Sequence, residues 1–125
     1  MEYNWDNKNV LVVEDEDSNY FLVEAYLRKG RANIIRCIDG KEAVNYCMKH
    51  DNLDLILMDI NMPQLNGFEA TTIIRGLKPY TPIVALTAYA LAGDREKTLE
   101  AGCNDYMSKP IDQEAFMELV GRILG

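Results

Sequence analysis

Short apolar runs alternate along the chain with longer segments in which apolar residues recur every three or four positions. The runs cover 10–13, 34–38, 53–58 and 83–86, with a weaker one at 105–108. They hold consecutive Val, Ile and Leu with little polar alternation, the pattern of strands covered on both faces, as in a parallel sheet. The periodic segments predict helices between them. The first covers about 18–29 and stops at Gly30. The second covers 41–50, with Ala43, Val44, Cys47 and Met48 on one face. The third starts at Asn66-Gly67 and ends before Pro79, and the fourth covers 91–101 with Gly102 as its stop. In the last helix Phe116, Leu119, Val120 and Ile123 fall at i, i+3, i+4 and i+7, with Asp112 as N-cap and Ile111 stapled to Phe116. Strands and helices in strict alternation predict an α/β protein of (βα)5 type.

Length adds that this is one domain: 125 residues are too few for two. At 48% hydrophobic and 26% charged residues, wholesale disorder is excluded. Lys and Arg number 13 against 20 Asp and Glu, a net charge of −7. That argues against a nucleic-acid surface and against binding to an anionic membrane. Cys37, Cys47 and Cys103 are odd in number and lack metal-ligand spacing, which suits a reducing compartment. The polar N-terminus does not resemble a signal peptide, and the longest uncharged run, 80–93, is too short to span a bilayer. A cytoplasmic domain is expected.

In an open parallel sheet, ligands collect outside the carboxyl ends of the strands. The first strand ends in Glu14-Asp15 and the second in Asp39-Gly40. The third ends in Asp59, followed by Ile60-Asn61-Met62-Pro63, the fourth in Thr87-Ala88, and the fifth in Ser108-Lys109-Pro110. If the first and third strands are neighbours, Glu14, Asp15 and Asp59 share a pocket. Like charges that close either raise a pKa or draw in a cation. An all-oxygen site open to water suits Mg²⁺ (or Mn²⁺), a hard ion that takes one or two carboxylates and keeps waters.

Lys109 adds a point charge and Thr87 a hydroxyl. A carboxylate nucleophile, a hard cation, an ammonium and a hydroxyl are the parts of a phosphoryl-transfer site. A carboxylate that attacks phosphorus becomes an aspartyl phosphate. Singly, Glu14-Asp15 also suits an acidic turn, Thr87 a strand-end hydroxyl, and Lys109-Pro110 a plain turn; the chemistry is specified by the strand ends together. His50 is the only histidine and falls at the polar end of the second helix. Any phosphoryl group is therefore expected from outside.

Val10-Leu11-Val12-Val13-Glu14-Asp15, Leu57-Met58-Asp59-Ile60-Asn61-Met62-Pro63, Gly67, Ala85-Leu86-Thr87-Ala88 and Gly102-Cys103-Asn104-Asp105-Tyr106-Met107-Ser108-Lys109-Pro110 together resemble the receiver domain of two-component response regulators. The resemblance covers a core of about 8–124 within the single domain 1–125. It implies a doubly wound, flavodoxin-like five-stranded sheet of order 2-1-3-4-5. It implies Asp59 as the phosphoacceptor, fed by a histidine kinase or a histidine phosphotransfer protein. Asp15 and Asp59 would ligate Mg²⁺ directly, Asn61 through its backbone carbonyl, and Glu14 directly or through water. Lys109 would bind and sense the phosphoryl group. Thr87 and Tyr106 would form the switch pair, read by partners on the face of the fourth helix, fifth strand and fifth helix. Tyr89 is expected to flank the phosphoryl group, either shielding it from water or standing as an exposed loop aromatic with no kinetic role. The Lys109-Pro110 bond is one that is often cis in such domains.

The resemblance further implies a domain that catalyses its own phosphorylation and is not a turnover enzyme, with no nucleic-acid or membrane partner. Trp5, Asn19 and the Met-Asp-Ile-Asn-Met-Pro and Ala-Leu-Thr-Ala runs look like receivers of hybrid histidine kinases. The chain is expected to be either a stand-alone receiver or part of a larger protein, and the sequence leaves its oligomeric state open. Two other classes predict different sequences. A phosphatase of haloacid dehalogenase type carries its nucleophile after the first strand, with a second Asp two residues on; here the position after Asp59 and Ile60 is Asn61. A flavin carrier needs a Ser/Thr/Gly-rich loop after the first strand, where this chain has Glu14-Asp15-Glu16-Asp17.

Overall fold

The computed structural model describes residues 3–62, 65–88 and 92–125. The elements are β1 (Asn9–Val13), α1 (Asp17–Arg28), β2 (Asn33–Cys37), α2 (Gly40–Lys49), β3 (Leu55–Asp59), α3 (Gly67–Leu77), β4 (Ile83–Thr87), α4 (Ala92–Ala101), β5 (Asp105–Ser108) and α5 (Gln113–Leu124). All strand pairs are parallel, and the five-stranded sheet has the order β2-β1-β3-β4-β5. The expected (βα)5 sheet is therefore present. No helix among the described residues is long and apolar enough to cross a membrane.

Successive strand residues face opposite sides of the sheet, so each apolar run feeds two cores. Val10, Val12, Leu55, Leu57, Val84 and Leu86 pack with Val23 and Leu27 of α1 and Phe116 and Val120 of α5. Leu11, Val13, Ile56, Met58, Ile83 and Ala85 pack on the other face with Ala43 and Cys47 of α2 and Ala70 and Ile74 of α3. Each such fully buried side chain contributes about 1.5–3 kcal/mol of transfer free energy. This two-sided burial is what fixes the carboxyl ends of β1, β3 and β4 as a rigid rim.

The helix starts are set by their caps. Asp39, Asn66 and Asp112 accept from the backbone N–H groups of Glu42, Glu69 and Ala115 respectively. Asp39 is thereby committed to α2 and does not join the other strand-end acids. Ile111 and Phe116 share one core cluster, as the staple requires, and Gly102 follows α4 with φ +117°.

Three expectations need correction. Residues 34–38 do not make a strand covered on both faces: β2 lies at the sheet edge, ends at Cys37, and leaves Ile38 49% exposed. Met48 is 65% exposed, because α2 buries Gly40, Ala43 and Cys47 fully and Val44 and Tyr46 in part, and turns the Met48 position outward. A helix over an edge strand has less sheet beneath it and buries a narrower stripe. The third strand also starts later than position 53, although Leu53 itself is buried.

Candidate functional site

β1 and β3 are hydrogen-bonded neighbours, with Val13 opposite Met58. Their next residues, Glu14 and Asp59, therefore emerge side by side. Both are buried, whereas Asp15 is exposed at the rim. One carboxylate oxygen from each of Glu14, Asp15 and Asp59 lies within 4.8 Å of the others. That donor set, all oxygen and open to water on the Asp15 side, fits a hard divalent cation that retains waters. The Asn61 N–H donates to Asp59 Oδ1 at 3.1 Å, turning the loop after β3 back over the acid. Gly67, at the start of α3, makes that turn possible: a Cβ there would lie 2.5 Å from the Asp59 carbonyl oxygen.

Lys109 reaches the same pocket from the end of β5. Its Nζ donates to Glu14 Oε1 at 2.9 Å and lies 3.3 Å from Asp59 Oδ1. Burial is the largest influence on Glu14 and pushes its carboxyl up to about 7. The bond from Lys109 opposes that rise, and Asp59 adds to it. For Lys109, burial alone would lower the pKa, but the two carboxylates outweigh it and hold the ammonium above the ordinary lysine value. Lys109 is thus a fixed cation at any physiological pH. The Lys109–Pro110 peptide bond is cis.

Thr87 ends β4, buried, and its carbonyl accepts from the Lys109 N–H at 2.7 Å. This short backbone bond ties the hydroxyl-bearing strand end to the lysine-bearing one. Tyr106, opposite Ala85 in the register, is half-buried against the α2–α3 core, with the Arg95 guanidinium 5.8 Å from its ring centre. Glu14, Asp15, Asp59, Asn61, Thr87 and Lys109 therefore converge at one end of the sheet, and Tyr106 lies further down β5, in register with Ala85 where Ser108 is in register with Thr87. Tyr89 lies outside the described residues. His50 is exposed and stacks on Tyr46, 4.0 Å between ring centres.

Two arginines near or behind the rim were not foreseen. Arg36 of β2 donates from Nε to the Glu14 carbonyl at 3.1 Å. Arg75 of α3 donates to the carbonyls of Gly102, Lys78, Pro79 and Thr81 and to Asn104 Oδ1. The only sequence signal for either was a charge inside an otherwise apolar run.

The sequence model described as the response regulator receiver domain matches residues 10–121. Among curated proteins, a hybrid signal transduction histidine kinase I of Dictyostelium discoideum is 40% identical over 90% of this chain. This chain spans only 7% of that kinase's length. The polar-differentiation response regulator DivK of Brucella ovis is 36% identical, over 94% of this chain and 97% of its own length. Among solved structures, the receiver domain of the sensor histidine kinase PA1611 from Pseudomonas aeruginosa, with magnesium coordinated in its active-site cleft, superposes with a TM-score of 0.86. It is 38% identical, over 95% of this chain and 98% of its own. The receiver domain of Ssk1 from Saccharomyces cerevisiae, co-crystallised with the histidine phosphotransfer protein Ypd1, has a TM-score of 0.85 at 35% identity, covering 94% of this chain and 89% of the other.

Proposed function

The chain belongs to the response regulator receiver family, and from that membership we propose that it is a phosphoacceptor switch that takes a phosphoryl group from a phosphohistidine onto Asp59. The observation that carries this reading is the placement of Asp59. A buried carboxylate at the end of a fully covered strand, with Lys109 Nζ at 3.3 Å and two further acids beside it, is costly to hold unless it serves chemistry.

The transfer follows from the chain's own groups. An Asp59 carboxylate oxygen forms the bond to phosphorus as the phosphorus–nitrogen bond of the donor breaks, and the electron pair leaves with the donor imidazole. Lys109 offers a point charge to the transferring oxygens, and Thr87 a hydroxyl. Glu14, Asp15 and Asp59, with the Asn61 carbonyl, would hold Mg²⁺ (or Mn²⁺), which supplies further positive charge to the phosphoryl group. The donor class is a histidine kinase or histidine phosphotransfer protein; Ssk1's complex with Ypd1 supports it.

The product is an aspartyl phosphate on the domain itself, so the chain acts once per phosphorylation and is not a turnover enzyme. The added charge is bound better by one arrangement of Lys109 and Thr87 than by the other, and that difference shifts a two-state equilibrium. Tyr106 carries the shift to the face of α4, β5 and α5. The hybrid kinase among the relatives favours a signalling role, and the odd number of cysteines without metal-ligand spacing suits the reducing cytoplasm.

The test uses a histidine phosphotransfer domain carrying a radiolabelled phosphoryl group on its histidine. Label should move to this chain with Mg²⁺, and should not move with EDTA or to Asp59→Asn. Thr87→Val should still take label, yet lose the change in the Tyr106 amide environment that accompanies it. Transfer to Asp59→Asn as fast as to the wild type would sink the reading.

A further inference from the structure

Arg36 stands outside the machinery just described, yet it touches the loop that carries two of the three acids. Its Nε donates to the Glu14 carbonyl at 3.1 Å, and its Nη2 lies 2.9 Å from Asp17 Oδ1 in the first turn of α1. The second contact is ionic and not aligned as a hydrogen bond. The flat guanidinium lies over the Tyr20 ring, 4.3 Å from its centre, and Tyr20 is itself buried. The side chain is only 22% exposed. One planar group thus grips the acidic loop at the peptide between its first two acids and at its far end, and stacks on the helix that follows it.

The loop needs such a grip. Residues 14–17 are four consecutive acids, and their mutual repulsion favours spreading the chain. The only other cation held against the loop among the described residues is Lys109, which takes the Glu14 side chain and leaves the backbone alone. The Glu14 N–H bonds to the Cys37 carbonyl at 3.0 Å, so β2 holds the loop through both its backbone and its arginine.

We infer that Arg36 is a positioning residue for the cation end of the site, fixing the Glu14–Asp15 peptide so that both carboxylates present their oxygens to one ion. This rests on the reading of Glu14, Asp15 and Asp59 as a Mg²⁺ site. The role needs the fork and plane of a guanidinium, not merely a positive charge. A lysine at this position keeps the charge but cannot donate to the Glu14 carbonyl and reach Asp17 while lying flat on Tyr20.

The experiment measures Mg²⁺ dissociation constants by calorimetry for the wild type, Arg36→Lys and Arg36→Met. It is paired with hydrogen exchange at the amides of residues 15–17 in the metal-free proteins. Both variants should bind Mg²⁺ roughly tenfold more weakly, the lower end of what loss of an outer-shell partner costs, and both should exchange faster across the loop. Charge alone makes the opposite prediction: Arg36→Lys unchanged and Arg36→Met tighter. Either of those results overturns the role, as does unchanged affinity in a variant whose loop exchanges faster. Arg36→Lys retains the aliphatic stem over Tyr20 and carries the test should Arg36→Met not fold. A wild type that binds no Mg²⁺ defeats the metal-site reading itself; a wild type that binds it beside an indifferent Arg36→Lys defeats only the positioning role.

Discussion

Lys109 Nζ stands 2.9 Å from Glu14 Oε1, so a cation at the end of the last strand neutralises a fully buried carboxylate at the end of the first. The pair closes the sheet's rim across β3 and β4. It also sets a competition, because the two carboxylates that hold Lys109 are among the three offered to a metal, and a phosphoryl group on Asp59 would draw Lys109 away. Lys109→Met should leave the pocket's negative charge uncompensated. Without metal, the variant is expected to lose about 3 kcal/mol of stability near neutral pH, the scale for removing one partner of a buried pair. Mg²⁺ should restore more stability to this variant than it adds to the wild type. Urea unfolding with EDTA and with Mg²⁺ measures both.

The pH dependence has a defined sign. Glu14 titrates at about 7 in the folded state, against an ordinary value of 4.5. The folded chain therefore holds a proton that the unfolded chain has already lost. Stability of the metal-free protein should fall as pH rises through that interval and level off above it. Metal must displace the same proton, so Mg²⁺ affinity should climb over the same interval, by up to about tenfold per pH unit, then flatten. Glu14→Gln should remove this dependence. An Mg²⁺ affinity in the wild type that stays flat from about pH 5 to about pH 7 would contradict the assignment.

Trp5 lies upstream of the residues matched by the family, yet it is fully buried. Its indole packs on Gly30 at the end of α1, and its Nε1 donates to the Gly125 carbonyl at 3.1 Å. Tyr3 lies tilted beside it, 5.2 Å between ring centres, against Gly121 of α5. Trp5→Ala should cost about 3–5 kcal/mol. Trp5→Phe, which keeps the ring but not the hydrogen bond, should cost about 1–2 kcal/mol. Both should still accept a phosphoryl group, since the site lies at the opposite end of the strands. Denaturant unfolding followed by circular dichroism checks the order.

Arg75 gathers five acceptors from the ends of α3 and α4, and Asn104 Oδ1 passes the connection to the Ile83 N–H. Arg75→Met should release the loop before β4 and the turn before β5 together. Hydrogen exchange at Ile83, Cys103 and Asn104 is expected to quicken in concert, with a loss of about 2–3 kcal/mol. Faster exchange at Ile83 alone would show that the arginine does not join the two segments.

The strands and the residues that end them were legible in the sequence because both are local, whereas the strand order came from the family resemblance. A run such as Leu55–Met58 announces a covered strand, and the residue that follows is then an end, wherever the sheet places it. The strand ends meet because parallel strands share one direction. The arginines were not legible. Nothing near Arg36 in the chain says that its guanidinium will reach a carbonyl 22 positions earlier. Nothing near Arg75 names the carbonyls that converge on it. Met48 and Ile38 failed for a related reason: periodicity reports which positions share a face, but not whether a neighbour covers it. Asp39, an acid after a strand like Glu14 and Asp59, serves only as a helix cap. Which acids join the pocket depends on strand order, which local pattern does not contain.

Everything proposed for the site turns on Asp59 as the acceptor beside a bound metal. Intact-mass analysis after incubation with acetyl phosphate tests it most directly, with Mg²⁺, with EDTA, and with Asp59→Asn. The wild type should gain one phosphoryl group with Mg²⁺, none with EDTA, and the variant none under either condition. A gain of the same size in Asp59→Asn, or one indifferent to EDTA, would contradict it.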